Sequence, residues 1–261
     1  MYSLATANLV SLLVAVSFVV AVHLRQPLSA DRNEPKVIKG RIIRVLLLTF
    51  ALTGLLPIVL TALGGYPTYS YAFSEFGLQF GPLGVLKCLG LISTLYCGPL
   101  LDHFYDIDFE LSTLYKDVHA ELTLIWGIRD LVFAPIVEEI IYRSHIICIY
   151  RGVAGILDSW LTFGTPLFFG VAHLHHGYAL YLSGQRAFFP VLATVAAQLV
   201  YTTAFGALAS HLFLRFGTVW GPVVVHSVCN CMSFPTLEPG INPILYYGLL
   251  ALGSYLFYQW L

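Results

Sequence analysis

The sequence predicts an all-α, polytopic membrane protein with about eight transmembrane helices. Hydrophobic residues make up 58% of the chain and charged residues only 10%, whereas roughly a quarter of the residues in a soluble domain are charged. Apolar runs of roughly 20 residues, long enough to cross a bilayer as a helix, recur along the whole chain. No internal repeat or low-complexity tract separates them. We therefore expect a single integral-membrane domain covering residues 1–261.

The first two predicted spans are joined by a basic segment. Residues 4–23 form the first apolar run, and they lack the basic start and clear cleavage site of a removed signal peptide, so we expect them to be retained. Residues 42–63 form the second run. Six of the thirteen lysines and arginines lie in residues 25–44, namely Arg25, Arg32, Lys36, Lys39, Arg41 and Arg44. The positive-inside rule predicts that this loop is cytosolic and that the amino terminus lies on the other side.

Six further spans complete the predicted set. They are residues 81–101, about 122–150, 156–173, 188–212, 217–234 and 243–261. Pro135 lies inside the fourth span and predicts a kink one turn before Glu138, because proline removes a backbone donor. Residues 102–121 are rich in aspartate and glutamate. A solvated connector is the favoured interpretation of that segment, and an amphipathic surface helix is the alternative.

Charged residues in the fourth span mark a candidate functional site. Glu138, Glu139 and Arg143 lie in a run that is otherwise apolar enough to cross a bilayer. Each ionised side chain near the bilayer centre costs about 2.5–3.5 kcal/mol, so we expect these groups to face a protein interior or a watery cavity. Helical spacing pairs Glu139 with Arg143 and turns Glu138 about 100° away. An ion pair that only locks two helices together is the alternative interpretation.

Two polar clusters in later spans are candidates to join these carboxylates. His173 follows Phe169 at a spacing of four and precedes His176 at a spacing of three, so each pair can project from one helical face. His226 and Asn230 are spaced in the same way. We expect these two clusters and the charged residues of the fourth span to lie close together in the folded protein. A histidine that satisfies an interhelical hydrogen bond is the alternative for each cluster.

Together these side chains are typical of acyl hydrolysis. A carboxylate and a histidine around one water form a general base, and a histidine with an asparagine N–H can stabilise an oxyanion. The chain lacks a G-x-S-x-G motif, so a serine nucleophile is not expected. It also lacks H-E-x-x-H, the usual zinc-protease helix. No cofactor is therefore expected, with a zinc site built from carboxylate and histidine as the alternative.

Other ligand and partner classes find little support. The five cysteines lie in apolar runs without a C-x-x-C pair, so we expect packing roles instead of disulfides or a zinc knuckle. The net charge is −1 and no basic stripe is present. Nucleic acid is therefore excluded as a partner, and membrane lipid is the expected surrounding.

At these residues the sequence resembles the CaaX prenyl endopeptidases of the Ras-converting-enzyme type, part of a wider group of intramembrane glutamate proteases. The resemblance extends over residues 36–235, and the motif-bearing core covers about residues 122–235. Three family patterns are met without departure: E-E-x-x-x-R by Glu138, Glu139 and Arg143, F-x-x-x-H by Phe169 and His173, and H-x-x-x-N by His226 and Asn230.

The resemblance implies a multi-pass endoplasmic-reticulum protease with an intramembrane catalytic cavity. Such an enzyme removes the last three residues of prenylated CaaX proteins, small GTPases among them. By resemblance, Glu138 activates water, His173 assists it, and His226 and Asn230 form the oxyanion hole. The implied supporting residues are Glu139, Arg143, Phe169 and His176.

Three alternatives to this function remain open. The same fold could cleave a different peptide, the polar clusters could form a proton or ion pathway, or the protein could be a non-catalytic scaffold. The absence of repeat symmetry and of paired interrupted helices disfavours a transporter. The complete motif set disfavours a scaffold.

Overall fold

The all-α prediction is confirmed by the computed structural model, which describes residues 1–25, 31, 33–182, 184 and 187–261. Within those ranges no β-strand forms, and the only strand-like pairing is an isolated bridge between Tyr2 and Val153. Helices satisfy their own backbone hydrogen bonds, which an apolar chain in lipid requires.

The helices follow one another in chain order as α1 Leu4–His23, α2 Pro35–Ala62, α3 Tyr69–Ser74, α4 Pro82–Leu95, α5 Cys97–Asp106, α6 Leu111–Thr123, α7 Ile125–Gly127, α8 Ala134–Glu139, α9 Ile146–Arg151, α10 Pro166–Ala172, α11 Leu174–Leu182, α12 Phe188–Phe216, α13 Trp220–Met232 and α14 Pro243–Trp260. Segments with the wider π-helical turn lie at Ile128–Phe133, Ile140–His145 and Trp160–Gly164. Residues 125–151 are thus helical throughout, and this central helix contains two π-helical segments.

Long apolar helices support the prediction of a membrane protein. Helices α1, α2 and α12 are long and apolar enough to cross a bilayer, and the pair α4–α5, bent by 76°, could supply a fourth span. The predicted span 4–23 coincides with α1. The predicted spans 42–63 and 188–212 fall on α2 and α12. The remaining predicted spans fall on shorter or segmented helices, so the total of about eight stays a prediction.

The chain forms two compact units, each made of two separate stretches. The first contains Met1–Phe80 and Ile136–Val219, and the second contains Gly81–Pro135 and Trp220–Leu261. The prediction that residues 1–261 form one domain stays a prediction.

The core of the first unit is built around the second half of the central helix. Every residue from 141 to 150 is buried. The π-helical segment Ile140–His145 packs against α1, α2, α10 and α12. Arg143 of the predicted charged site therefore lies in a fully buried stretch of this unit, and Glu139 just before that stretch is buried as well.

From Pro35 onward the basic segment is helical where a loop was predicted. Helix α2 begins at Pro35, because proline fits the first helical position without losing a hydrogen bond. Arg32 lies outside the described residues. Arg44 folds back on α1, where its Nε donates to the carbonyl of Ala21 at 2.9 Å and its Nη2 to that of Val22 at 3.2 Å. These bonds satisfy carbonyls that the end of α1 would leave open.

The second unit packs α13 against α4 and against the π-helical segment Ile128–Phe133, while α14 lies along α4 and α5. A Cβ at Gly221 would lie 2.7 Å from Cys88 Sγ, so glycine permits the close approach of α13 to α4.

The acidic stretch 102–121 is more ordered than the predicted connector. Its second half belongs to α6, which has no buried residue, so the alternative interpretation of a surface helix describes it better. Asp102 is buried and accepts a hydrogen bond from the Ile241 backbone N–H at 3.0 Å.

All five cysteines are free, and their packing differs. Cys88 and Cys148 are buried as predicted, Cys97 and Cys229 are partly buried, and Cys231 is exposed near the end of α13.

Candidate active site

Glu139 and Arg143 form the predicted ion pair in the core of the first unit. Glu139 Oε2 lies 3.0 Å from Arg143 Nε, and the two side chains are 0% and 1% exposed. The spacing of four residues brings the groups together even though the helix widens to π geometry at Ile140. Removing one member of such a buried pair leaves an uncompensated charge, at a cost of about 3–5 kcal/mol.

Aromatic rings complete the surroundings of Arg143. Its guanidinium carbon lies 4.5 Å from the centre of the Phe169 ring and 5.7 Å from that of Phe205. Among the described residues, the guanidinium nitrogens make no hydrogen bond of normal geometry. The charge is therefore held by the Glu139 carboxylate and two ring faces. The two rings belong to α10 and α12, so the ion pair of Glu139 and Arg143 also links these helices to the central helix. A role in locking helices together was the alternative interpretation of the charged residues.

Glu138 has more open surroundings than its neighbour. Its side chain is half-buried, whereas that of Glu139 is fully buried. A carboxylate that remains partly accessible can meet water or a substrate. Of the two adjacent carboxylates, Glu138 is therefore the one suited to act as a base.

His173 lies at the carboxyl end of α10 with one ring nitrogen fixed. Its Nδ1 lies 2.8 Å from the backbone oxygen of Phe169. A carbonyl oxygen only accepts hydrogen bonds, so Nδ1 carries the hydrogen and Nε2 of the neutral ring keeps its lone pair. The ring of Phe169 packs edge-on against His173, with 4.4 Å between the centres. Half-buried His173 therefore presents Nε2 as a proton acceptor.

Phe169 connects the first two motifs. One ring contacts the guanidinium of Arg143 and the imidazole of His173, and it is only 2% exposed. The structure thus brings Glu139, Arg143, Phe169 and His173 together in the first unit, although the residues come from segments about thirty positions apart in sequence.

Tyr142 belongs to the same packing group, and the sequence patterns did not single it out. Its ring lies 5.1 Å from that of Phe169, in an edge-on arrangement. Its spacing could have indicated it, because Tyr142 follows Glu138 by four residues just as Arg143 follows Glu139.

His176 belongs to a row of three imidazoles at the junction of α10 and α11. Its ring centre lies 5.7 Å from that of His173 and 4.0 Å from that of His175. His175 donates from Nδ1 to the backbone oxygen of Ala172. Burial lowers the pKa of His175 to about 4, so this ring is neutral at neutral pH.

His226 and Asn230 lie on α13 in the second unit. His226 is buried and Asn230 is exposed. Asn230 Nδ2 donates to the backbone oxygen of Asp130, 2.8 Å away in the π-helical segment Ile128–Phe133. An amide carries two N–H donors, so this bond fixes the side chain and leaves a second donor for another acceptor. The expected convergence of His226 and Asn230 with Glu138 and His173 stays a prediction.

A metal centre was the alternative to the general-base site. In the described part of the chain, no three His, Cys, Asp or Glu side chains are grouped so that they could hold a metal ion. The expectation of a reaction without a cofactor stays a prediction.

Comparisons with known proteins place the motifs in one matched segment. The family model described as "Type II CAAX prenyl endopeptidase Rce1-like" matches residues 120–232. CAAX prenyl protease 2 of Saccharomyces cerevisiae is 31% identical over 87% of this chain and 79% of that protein. The probable CAAX prenyl protease 2 of Schizosaccharomyces pombe is 32% identical, over 88% and 82%. CAAX prenyl protease 2 of Homo sapiens is 31% identical, over 86% and 71%. No solved structure matches the chain significantly.

Proposed function

The chain belongs to the family of type II CAAX prenyl endopeptidases and is a CaaX prenyl protease, and from this premise we propose that Glu138 and His173 activate the water that cleaves its substrate. The substrate is a prenylated CaaX protein, such as a small GTPase. The products are the prenylated protein, ending in its cysteine carboxylate, and the released aaX tripeptide.

In the first step, water attacks the scissile carbonyl carbon. Glu138 takes one proton from the water as its oxygen forms the new bond to carbon, and the electron pair of the carbonyl moves to oxygen. His173 Nε2 accepts a hydrogen bond from the second hydrogen of the water and so orients the attacking lone pair. N–H groups of His226 and Asn230 stabilise the oxyanion.

In the second step, the tetrahedral intermediate collapses. The oxyanion reforms the carbonyl, the carbon–nitrogen bond breaks, and Glu138 returns its proton to the leaving amine. The new carboxylic acid then loses the second proton of the water to solvent and becomes the cysteine carboxylate. The carboxylate is then ready for another water, so no group outside the site is consumed. This cycle uses no metal and no cofactor.

The main support for this assignment is the set of contacts around Phe169. The carbonyl of Phe169 fixes the tautomer of His173, and its ring packs against the guanidinium that neutralises Glu139. Because Arg143 is committed to Glu139, Glu138 is the carboxylate of the pair that can exchange protons with water.

The reaction is best placed in a membrane. A farnesyl or geranylgeranyl chain partitions into lipid, so a cavity that opens sideways between helices would receive the scissile bond next to the anchored prenyl group. We propose about eight spanning segments around this cavity and residence in the endoplasmic reticulum, with the basic segment at the start of α2 on the cytosolic side.

A reconstituted assay tests the function. Proteoliposomes that contain only this protein should release the intact tripeptide from a farnesylated CaaX peptide, as measured by mass spectrometry. The same peptide without the prenyl group is the matched control and should be cleaved much more slowly. Cleavage of the peptide at another bond would favour a different peptide substrate. No cleavage of any peptide would favour the scaffold or transport interpretations.

A further inference from the structure

The hydroxyl of Tyr142 is a buried polar group with no partner. The side chain is 2% exposed, and its oxygen makes no hydrogen bond to any residue that the structure describes. The ring is fixed between Phe18 of α1, at 5.6 Å, and Phe169 of α10, at 5.1 Å, both in edge-on contact. A buried hydroxyl without a partner is costly. A water or ligand is therefore expected at this oxygen.

The other buried tyrosines of the described chain show that this lack of a partner is specific to Tyr142. Each of their hydroxyls has a hydrogen-bond partner. These tyrosines and their partners are Tyr2 with Ile149 O, Tyr66 with Cys148 O, Tyr96 with Ser233 O, Tyr150 with Asn8 Oδ1 and Tyr246 with Thr236 N.

Tyr142 lies on the side of the helix that carries Glu138. It follows Glu138 by four residues, a spacing that brings side chains to the same face of a helix. The two groups are not directly hydrogen-bonded, since the hydroxyl has no partner. In contrast, Glu139 and Arg143 meet at 3.0 Å one position further along. A small polar molecule between Glu138 and Tyr142 would supply the missing bond.

We propose that Tyr142 is a further catalytic residue, whose hydroxyl donates a hydrogen bond to the nucleophilic water. This inference rests on the proposed function of Glu138 and His173. The water would give one hydrogen to Glu138 and the other to His173 Nε2. One lone pair would accept from the Tyr142 O–H, which leaves the second lone pair to attack the carbonyl.

The rigid setting of the ring suits this role. Phe169 packs against the rings of both Tyr142 and His173, and its carbonyl also fixes the tautomer of His173. One residue therefore holds two of the three groups that would surround the water. Groups preorganised in this way need no rearrangement when the water loses its proton.

The experiment compares Tyr142→Phe with Tyr150→Phe. Tyr150 is a matched control because it is equally buried in the same continuous helix, but its hydroxyl already has Asn8 as a partner. For each variant, kcat and KM for a farnesylated CaaX peptide would be measured per folded molecule, together with the unfolding temperature.

We expect opposite outcomes for the two variants. Tyr142→Phe should lower kcat roughly 10- to 100-fold at little changed KM, since it removes one hydrogen bond to a group that develops charge. Its unfolding temperature should stay the same or rise, because the hydroxyl has no protein partner to lose. Tyr150→Phe should unfold at a lower temperature and keep its kcat.

Two results would overturn the assignment. One is wild-type kcat in Tyr142→Phe, and the other is a loss of activity that is fully accounted for by a lowered unfolding temperature. If the unaltered protein cleaves the peptide in either case, the proposed function stands and only the role of Tyr142 is lost. Failure of the unaltered protein to cleave would contradict the proposed function itself.

Discussion

Adjacent glutamates in the central helix are expected to respond differently to the same substitution. Glu138→Gln should keep the protein folded yet abolish cleavage, because the amide preserves the shape of the carboxylate and removes the group that accepts the proton of water. The measurements are the rate of cleavage of a farnesylated peptide and the unfolding temperature in one detergent. Near-normal turnover would end the assignment of Glu138 as the base.

Glu139→Gln is the matched variant one position away. It leaves the buried guanidinium of Arg143 without its counter-charge, so lower activity should be accompanied by a loss of about 3–5 kcal/mol in the free energy of unfolding. An unchanged unfolding free energy in this variant would show that the ion pair contributes little to the fold.

His175 should make the folded protein sensitive to mild acid. Its pKa in the folded state is about 4, below the ordinary value of 6.5, so the unfolded chain takes up a proton first as the pH falls. The stability that neutral His175 contributes is therefore complete above about pH 6.5 and is lost progressively toward about pH 4. Unfolding temperatures at several pH values between 7.5 and 5 should fall less steeply for His175→Gln. Parallel curves would contradict this origin of the acid sensitivity.

Sequence reasoning succeeded for contacts within one turn of helix and failed for contacts across the fold. The pairing of Glu139 with Arg143 was predictable, because a spacing of four residues places side chains together on any helix. The contact of Phe169 with Arg143 joins separate segments, so no spacing rule could have found it. The buried hydroxyl of Tyr142 was equally hidden, since only the surrounding side chains determine whether a hydroxyl has a partner.

At the scale of helices, the packing of α10 against α12 should depend on Gly206. A Cβ at this position would lie 2.8 Å from Pro166 Cβ, so the two helices would have to move apart. We expect Gly206→Ala to lower the free energy of unfolding by about 1–3 kcal/mol. Activity should fall as well, because α10 carries Phe169.

Gly54→Ala is the control for this substitution. Gly54 lies inside α2, and a Cβ there would meet nothing within 4 Å. The change should therefore stabilise the protein by up to about 1 kcal/mol, since alanine favours a helix more than glycine does. Unfolding measurements on both variants give the comparison, and equal effects would contradict the steric argument.

Helix α13 presents His226 and Asn230 as neighbours, and they should act as a pair. Loss of one donor from an oxyanion hole typically lowers turnover about 10²- to 10³-fold. We expect Asn230→Ala to reduce kcat with little change in KM, and its combination with His226→Ala to cost less than the sum of the single effects. Steady-state kinetics with a fixed prenyl peptide would measure both.

Ser227 provides a control on the same helix. Its hydroxyl donates to Val223 O within α13, so Ser227→Ala should keep kcat. A raised KM at unchanged kcat in Asn230→Ala would mean that this side chain binds the ground-state substrate, and the oxyanion role would have to be abandoned.

The boundaries of elements were predictable where the apolar run was uninterrupted. Helix α1 covers residues 4–23 as predicted, and α12 continues the span predicted at 188–212 as far as Phe216. Residues 217–234 contain only the short helix Trp220–Met232, because Gly217 takes a left-handed C-cap conformation and Ser233 has a positive φ. The π-helical turns around Glu138 were not predictable, since a nearly all-apolar sequence has no periodicity that distinguishes one helical pitch from another.

For the molecule as a whole, the reaction should be independent of metal. If Glu138 and His173 activate the water, exhaustive treatment with a membrane-permeant chelator should leave activity largely intact, and metal analysis should find no stoichiometric zinc. Inactivation that is reversed by one specific divalent ion would point to a metal centre, with His173, His226 and a glutamate as ligands.

The interleaving of the two units sets an order for biosynthesis. The first unit needs residues 136–219 to join residues 1–80, while the second starts at residue 81 and needs the last stretch of the chain, 220–261. A ribosome that has released residue 219 can therefore have a finished first unit while residues 81–135 still wait for their partners. Helices α4 and α5 gain their contacts with α13 and α14 only after residues 220–261 have been made, so a chain that stops after residue 219 should complete its first unit and leave the second incomplete.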